Sequence, residues 1–140
     1  MSLELIADRI ALQDLMLNYA AAVDERDIER YGNCFAEDVE VLNFGDSIIN
    51  GKEAWVAYVW EALAAYSSTQ HLLAPQLATI TGNTAQTRSD VQALHYFAEP
   101  ASNGPTPFIL WATYNTAMTR VGSEWKIQRH ELIVRGSSAD

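Results

Sequence analysis

The second half of the chain limits the possible folds most, because it contains four long β-type segments separated by short turns. These segments cover residues 69–81, 84–98, 107–121 and 124–135. The pairs Gly82-Asn83 and Gly122-Ser123 are typical of tight hairpins, and Gly104-Pro105 marks a longer connection. Strands joined in this way run antiparallel, so the sequence predicts a mostly antiparallel sheet.

The first half of the chain has the pattern of helices. Residues 3–23 contain no Pro or Gly, and several apolar residues recur there at three- and four-residue steps. This pattern predicts a first helix whose buried face carries Leu3, Ile6, Ile10, Leu17 and Ala20.

Two further helices and a small hairpin complete this half. A second helix is predicted to start at an Asp27 N-cap and to continue through Phe35. A third is predicted from an Asn50 N-cap to Tyr66, with Glu53 completing a capping box. Between them, residues 38–44 and 48–49 are predicted as short strands. The order of elements predicts one α+β domain over residues 1–140, with three N-terminal helices covering one face of the sheet.

Composition restricts the partners and the compartment. The hydrophobic fraction of 49% argues against disorder, and 18 acidic against 9 basic side chains give a net charge of −9. Such a surface repels nucleic-acid phosphates and anionic lipids, so neither partner is predicted. The N-terminal residues 1–4 have no basic n-region, so no signal peptide is expected, and no apolar run approaches the roughly 20 residues of a membrane span. The single cysteine, Cys34, is expected to be a buried thiol, and the predicted location is the cytoplasm.

Asp24 and His71 are the first candidates for chemistry. Asp24 continues the apolar stripe of the first helix, where a carboxylate costs several kcal/mol unless it is paired. It is equally a helix-end residue that turns to solvent, so the functional interpretation needs a partner. His71 lies in an apolar setting at the start of the long strands and supplies that partner.

The other two histidines are predicted to differ in position. Alternation places His95 on the same strand face as Val91, Ala93 and Phe97, the buried side of a half-buried strand. A single histidine there is more often a core residue, but two histidines and an inward aspartate together favour an acid/base site. His130 lies among polar residues and is predicted on the polar face.

A metal site is the competing interpretation of Asp24, His71 and His95. Two histidines and a carboxylate can hold iron or zinc, but the usual local spacings are missing, and no metal is predicted. The sequence also lacks a Gly-rich phosphate loop, a nucleophile elbow and a CxxC pair. Acid/base chemistry without a cofactor therefore remains.

The chain also resembles a known family. Residues 21–27, 34–39 and 50–54, with 69–71 and 124–127, are similar to SnoaL-like proteins of the nuclear-transport-factor-2-like superfamily. The resemblance implies a cone-shaped α+β barrel whose curved sheet and helices enclose one deep pocket. That superfamily contains dehydratases, isomerases, cyclases and non-catalytic binding proteins, so the fold alone does not decide the function.

Within the superfamily, the chain resembles scytalone dehydratase and hexachlorocyclohexane dehydrochlorinase. The resemblance implies that Asp24 supports His71 and that His95 matches the second active-site histidine of the dehydratase. Val23 stands where the dehydratase has a tyrosine, and Asn43 falls near the position of another. Neither scytalone nor a halogenated compound is therefore the predicted substrate.

The predicted function is that of a lyase or isomerase acting on a small cyclic or aromatic carbonyl compound. His71 would take a proton from a carbon beside the carbonyl, Asp24 would stabilise the imidazolium, and His95 would protonate a leaving hydroxyl or hold the carbonyl. The predicted substrate contacts are Tyr19, Asn43, Trp55, Phe97, Trp111 and Tyr114, although core packing explains most of the aromatic residues equally well. The alternatives are a non-catalytic small-molecule-binding protein and an assembly subunit like the small subunit of ring-hydroxylating dioxygenases.

The long strands carry more apolar residues than three helices need to cover. Those expected on the outer face are Leu94, Tyr96, Ile109, Trp111 and Met118. We therefore predict a homo-oligomer, a trimer by resemblance to the dehydratase or else a dimer.

Overall fold

The computed structural model describes residues 1–99 and 107–138, so the predicted Gly104-Pro105 connection lies outside the described residues. The helices are α1 (Leu3–Asp24), α2 (Ile28–Gly32) and α3 (Lys52–Leu63). The strands are β1 (Phe35–Leu42), β2 (Ile49–Asn50), β3 (Tyr66–Leu73), β4 (Leu77–Thr81), β5 (Thr84–Phe97), β6 (Phe108–Val121) and β7 (Glu124–Ser137). This order confirms the predicted α+β class.

All seven strands form one open, curved sheet in the order β2-β1-β7-β6-β5-β3, with β4 also paired to β5. Every pair is antiparallel except β1 with β7, which are parallel. The two predicted hairpin turns are confirmed, and Gly82 and Gly122 adopt φ values of 60° and 63° there. The predicted strand 69–81 is divided at Pro75, which has no N–H for a strand ladder, and both of its parts pair with β5.

The helices pack on one face of the sheet, which we call the covered face. Alternation places His71, Ala93 and Tyr114 on that face and Leu72, Gln92 and Trp111 on the opposite, open face. The core lies between the helices and the covered face. It contains Leu12, Met16, Tyr19, Tyr31, Phe35 and Trp55, each no more than 3% exposed. The covered face therefore carries both the main core and the Asp24–His71 region.

The predicted buried face of α1 is wrong. Leu3, Ile6, Ile10 and Leu17 are 84%, 41%, 58% and 46% exposed, whereas the buried residues include Leu12, Met16, Tyr19, Ala20 and Val23. Apolar residues occur around most of this helix, so spacing alone fits either face. In the structure Met16 and Tyr19 are 1% and 3% exposed, and burial of these two large side chains stabilises this orientation.

The helix starts follow the predictions in part. Asp27 caps α2 by accepting a hydrogen bond from the Arg30 N–H at 3.1 Å, as predicted. The predicted capping box at Asn50 is wrong, because Asn50 belongs to β2 and pairs with Glu40. Gly51 precedes α3 instead, with a φ of 93° and no side-chain cap.

Among the described residues, no helix is long and apolar enough to cross a membrane.

Candidate active site

The end of α1 brings the Asp24 carboxylate against the middle of β3. Its Oδ1 lies 2.8 Å from His71 Nδ1 and accepts a 3.0 Å hydrogen bond from the Thr69 hydroxyl. Its Oδ2 accepts a 2.8 Å hydrogen bond from the His71 backbone N–H. The predicted contact between Asp24 and His71 is thus confirmed, and the two side chains are 20% and 11% exposed.

These contacts determine where the protons lie. Burial raises the pKa of Asp24, but hydrogen bonds from the His71 ring and backbone together lower it below its usual value. The carboxylate is therefore ionised and can only accept, so Nδ1 of His71 must carry the ring proton. Within residues 1–99 and 107–138 nothing hydrogen-bonds Nε2, and its lone pair then has the arrangement of a general base.

His95 lies beside this pair on the neighbouring strand. Its ring meets the His71 ring edge to face, with 5.9 Å between centroids, and its Nδ1 lies 3.1 Å from the Phe108 carbonyl oxygen. Since a carbonyl only accepts, Nδ1 is the donor and Nε2 of neutral His95 is a second acceptor. Burial lowers the pKa of His95, although the Phe108 carbonyl opposes that effect, so the ring is neutral.

Aromatic rings surround His95 at this end of the sheet. Tyr66 and Phe108 lie 4.7 and 5.1 Å from it between ring centroids, and the predicted contact Phe97 lies 5.3 Å from Tyr66. Sequence reasoning missed Tyr66 because it assigned this residue to the end of the third helix, whereas α3 ends at Leu63 and Tyr66 begins β3. Phe108 is directly opposite His95 on β6, so correct strand pairing would have found it.

The predicted contacts Tyr19, Trp55 and Tyr114 lie deeper. They are 3%, 1% and 4% exposed and pack around His130, with ring centroids 5.1, 6.4 and 4.8 Å from it. Here these three side chains form part of the hydrophobic core. Their predicted contact with substrate stays a prediction.

The predicted polar location of His130 is wrong, because the residue is fully buried. A register shift between Ala117 and Met118 changes the side-chain phase of β7, so His130 faces the covered side. Its Nε2 lies 2.9 Å from the Tyr19 hydroxyl and its Nδ1 2.9 Å from the Thr116 hydroxyl. Burial lowers the pKa of His130 to about 3.

Two predicted substrate contacts lie on the wrong side of the sheet. Trp111 pairs with Gln92 on the open face and is 41% exposed. The Asn43 amide donates to Glu131 Oε2 at 3.4 Å, and Glu131 also belongs to the open face. The expectation that Trp111 and Asn43 line the site with Asp24 is therefore wrong: strand alternation turns Trp111 away, and the bond to Glu131 holds Asn43.

A surface groove of about 690 Å³ lies elsewhere, between α1, α2 and the β6–β7 turn. Charged and polar groups line much of it, among them Asp14, Asn18, Arg30 and Lys126. None of the predicted site residues belongs to this groove. The neighbouring thiol of Cys34 is buried as predicted, and burial raises its pKa to about 11.

Across residues 1–99 and 107–138, no three side chains of His, Cys, Asp or Glu are grouped so that they could hold a metal ion. The Nδ1 of His71 and the Nδ1 of His95 are both occupied by protein acceptors.

The amino-acid sequence also matches a known domain family. The model of the SnoaL-like domain matches residues 4–131, which is most of the chain. The chain belongs to the SnoaL-like domain family. No curated protein is significantly similar to this SnoaL-like domain in sequence.

Solved structures share its fold. A candidate scytalone dehydratase from Novosphingobium aromaticivorans has a TM-score of 0.88 at 21% identity, covering 96% of this chain and 89% of that one. The type 3 hexachlorocyclohexane dehydrochlorinase LinA from Novosphingobium barchaimii has a TM-score of 0.83 at 19% identity, covering 97% and 92%. A candidate aromatic ring hydroxylase from N. aromaticivorans has 0.83 at 28% identity, covering 95% and 93%. These likenesses confirm the predicted α+β cone and a place near the dehydratase and dehydrochlorinase structures.

Proposed function

We propose that this SnoaL-like domain is a cofactor-independent lyase or isomerase that acts on a small cyclic or aromatic carbonyl compound. The observation that carries the proposal is the 2.8 Å contact between His71 Nδ1 and Asp24 Oδ1, which leaves His71 Nε2 free as a base. Structural neighbours that are named as a dehydratase and a dehydrochlorinase support the class of chemistry.

The proposed reaction begins at a carbon beside the carbonyl. His71 Nε2 takes the proton of that carbon, and Asp24 stabilises the imidazolium while the electron pair moves toward the carbonyl oxygen. In an elimination, the enolate re-forms its carbonyl, and a C=C bond forms between the α and β carbons as the C–O bond at the β carbon breaks. The hydroxyl leaves as water with the proton that His71 took. In an isomerisation, the same proton returns to a different carbon.

His95 has a narrower role in this scheme than the sequence predicted. Neutral His95 carries its proton on Nδ1, so Nε2 accepts a hydrogen bond and has no proton to give to a leaving group or a carbonyl. We therefore assign it to orienting a substrate hydroxyl. This favours β-hydroxy carbonyl compounds over simple ketones.

The proposed ligand is small and apolar or aromatic. Tyr66, Phe97 and Phe108 supply ring surfaces next to His95, and Phe97 is 42% exposed and free to meet a ligand. Such a ligand would place its ring against these side chains and its acidic carbon against His71.

We also propose that the open face joins copies of the chain into a homo-oligomer. Leu72, Tyr96 and Trp111 are 52%, 38% and 41% exposed there, which is costly in a monomer. Met118 does not belong to this patch, contrary to the prediction, because it is 1% exposed and faces the core. Light scattering that gave 15.6 kDa at micromolar concentration would contradict the proposal.

A substrate screen tests the proposed function. Cyclic ketones, enols and β-hydroxy carbonyl compounds are incubated with native protein and with His71→Ala, and ultraviolet absorbance follows the formation of a conjugated product. Turnover by the native protein, with no turnover by His71→Ala, supports the proposal. Saturable binding without turnover of any compound would instead identify a small-molecule-binding protein.

A further inference from the structure

Arg26, two residues beyond Asp24, has an unusual conformation. Its φ of 59° lies in the left-handed region that costs energy for residues other than glycine. Within the part of the chain that the structure describes, its buried Nη2 has no hydrogen-bond partner. The positive φ belongs to the backbone turn that ends α1, where the Asp27 N–H donates to the Ala22 carbonyl oxygen at 2.8 Å. The unpaired Nη2 disfavours an arginine here, so the other contacts of the side chain must offset it.

Those contacts lead to the carboxylate of Asp24. Arg26 Nη1 donates to the Val23 carbonyl oxygen at 2.6 Å and to the Thr69 hydroxyl oxygen at 2.8 Å. A guanidinium can only donate, so the hydroxyl must point its own proton elsewhere. It points that proton at Asp24 Oδ1, 3.0 Å away, which is the same oxygen that bonds the His71 ring.

We propose that Arg26, acting through Thr69, is a positioning residue that fixes the Asp24 carboxylate and thereby the tautomer of His71. The inference rests on the proposed role of the Asp24–His71 pair as a supported base. Thr69 is 7% exposed, so little water reaches its hydroxyl to replace the arginine.

The direction of the two hydrogen bonds explains the effect. While Arg26 donates to a lone pair of the Thr69 hydroxyl oxygen, the Thr69 O–H group stays directed at Asp24 Oδ1. Without Arg26 the hydroxyl can rotate, and the carboxylate loses a charge-assisted chain of donors. A carboxylate held less firmly allows the His71 ring to adopt the Nε2–H tautomer, in which Nε2 is no longer a base.

A purely structural role is the rival explanation, because Arg26 Nη1 also caps the end of α1 at Val23. Thr69→Val separates the two roles: it removes the hydroxyl and keeps both the branched shape and the Val23 contact. Thr69→Ser keeps the hydroxyl and serves as the conservative rescue. Arg30→Met is a matched arginine control, since Arg30 bonds Asn18 and Glu25 and not Asp24.

Nuclear magnetic resonance of the full chain provides the test. Ring ¹⁵N shifts report the His71 tautomer, and ¹³C shifts report the titration of the Asp24 carboxyl. We expect Arg26→Met and Thr69→Val each to raise the ratio of Nε2–H to Nδ1–H tautomer about tenfold, the effect of losing one hydrogen bond to a charged group. In both variants the Asp24 midpoint should also move up, while Thr69→Ser and Arg30→Met should match the native protein.

The proposal is overturned if Arg26→Met and Thr69→Val keep the native tautomer and Asp24 titration, even when they melt at lower temperature. Should Arg26→Met fail to fold, Thr69→Val and Arg26→Lys decide by the same two readouts. Neither readout depends on turnover. A protein without catalytic activity would fail the substrate screen and still report whether Arg26 positions the pair.

Discussion

His71 and His130 both face the covered side of the sheet, but their ring nitrogens have different partners. His71 bonds a carboxylate at the end of α1 and is partly exposed. His130 bonds only the hydroxyls of Tyr19 and Thr116 and is fully buried. The ionised carboxylate can stabilise an imidazolium formed at His71 during a reaction. Burial among neutral groups lowers the pKa of His130 and keeps that ring uncharged. The comparison assigns chemistry to one histidine and stability to the other.

The largest effects on turnover are expected from substitutions of His71 and of its partner Asp24. We expect His71→Ala to abolish turnover and Asp24→Asn to lower kcat about 10⁴-fold, because an amide bonds the ring without stabilising imidazolium and can select the wrong tautomer. Initial rates on a compound found by the screen would measure both changes. An Asp24→Asn protein with native kcat would show that the carboxylate does not support His71 as a base.

His130 should instead make stability depend on pH. Its folded-state pKa of about 3 lies below its ordinary value of 6.5, so its contribution is complete above about pH 6.5 and is lost as the pH falls toward 3. The His130 contribution to the free energy of unfolding should fall by about 1.4 kcal/mol for each pH unit between about pH 6.5 and 3. Urea denaturation at several pH values would measure this slope.

The control for that slope is His130→Phe, which removes the titrating ring and fills its place with another aromatic side chain. His95, whose pKa burial also lowers, should account for a smaller remaining slope. An unchanged slope in His130→Phe would show that His130 is not held neutral in the core.

His95 should affect catalysis less than His71, because it orients a hydroxyl and does not become charged. We expect His95→Ala to lower kcat about 10²-fold and to leave the binding of a non-reacting analogue within about tenfold. Steady-state kinetics and calorimetric titration would measure the two quantities. Loss of activity as complete as in His71→Ala would mean that His95 also moves a proton.

The smallest expected effect concerns the hydroxyl of Tyr19. Tyr19→Phe removes the 2.9 Å bond to His130 Nε2 and should cost about 1–3 kcal/mol of stability, with little change in kcat. Denaturation and the activity assay on the same preparation would measure both. A large loss of activity at unchanged stability would show that the Tyr19 hydroxyl acts in the reaction and not only in the core.

Local patterns predicted the elements that depend on local chemistry. The glycine turns and alternating strands located β5, β6 and β7, and the resemblance to SnoaL-like proteins paired Asp24 with His71. The failures involve information that is not local. A register shift reverses the phase of β7 at His130, and packing against the sheet selects the buried face of α1. Tyr66 escaped detection because the helical pattern extends to it, whereas α3 ends at Leu63 and Tyr66 begins β3.

The most direct test of the central claim is hydrogen exchange at the substrate carbon. Cyclic ketones that lack a leaving group are incubated in D₂O with native protein, His71→Ala and His130→Phe, and proton resonance spectra follow the signal of the carbon beside the carbonyl. We predict that this signal disappears with native protein and His130→Phe and persists with His71→Ala. Exchange that continues undiminished in His71→Ala, or that fails with native protein for every ketone, would contradict proton abstraction by an Asp24-supported His71.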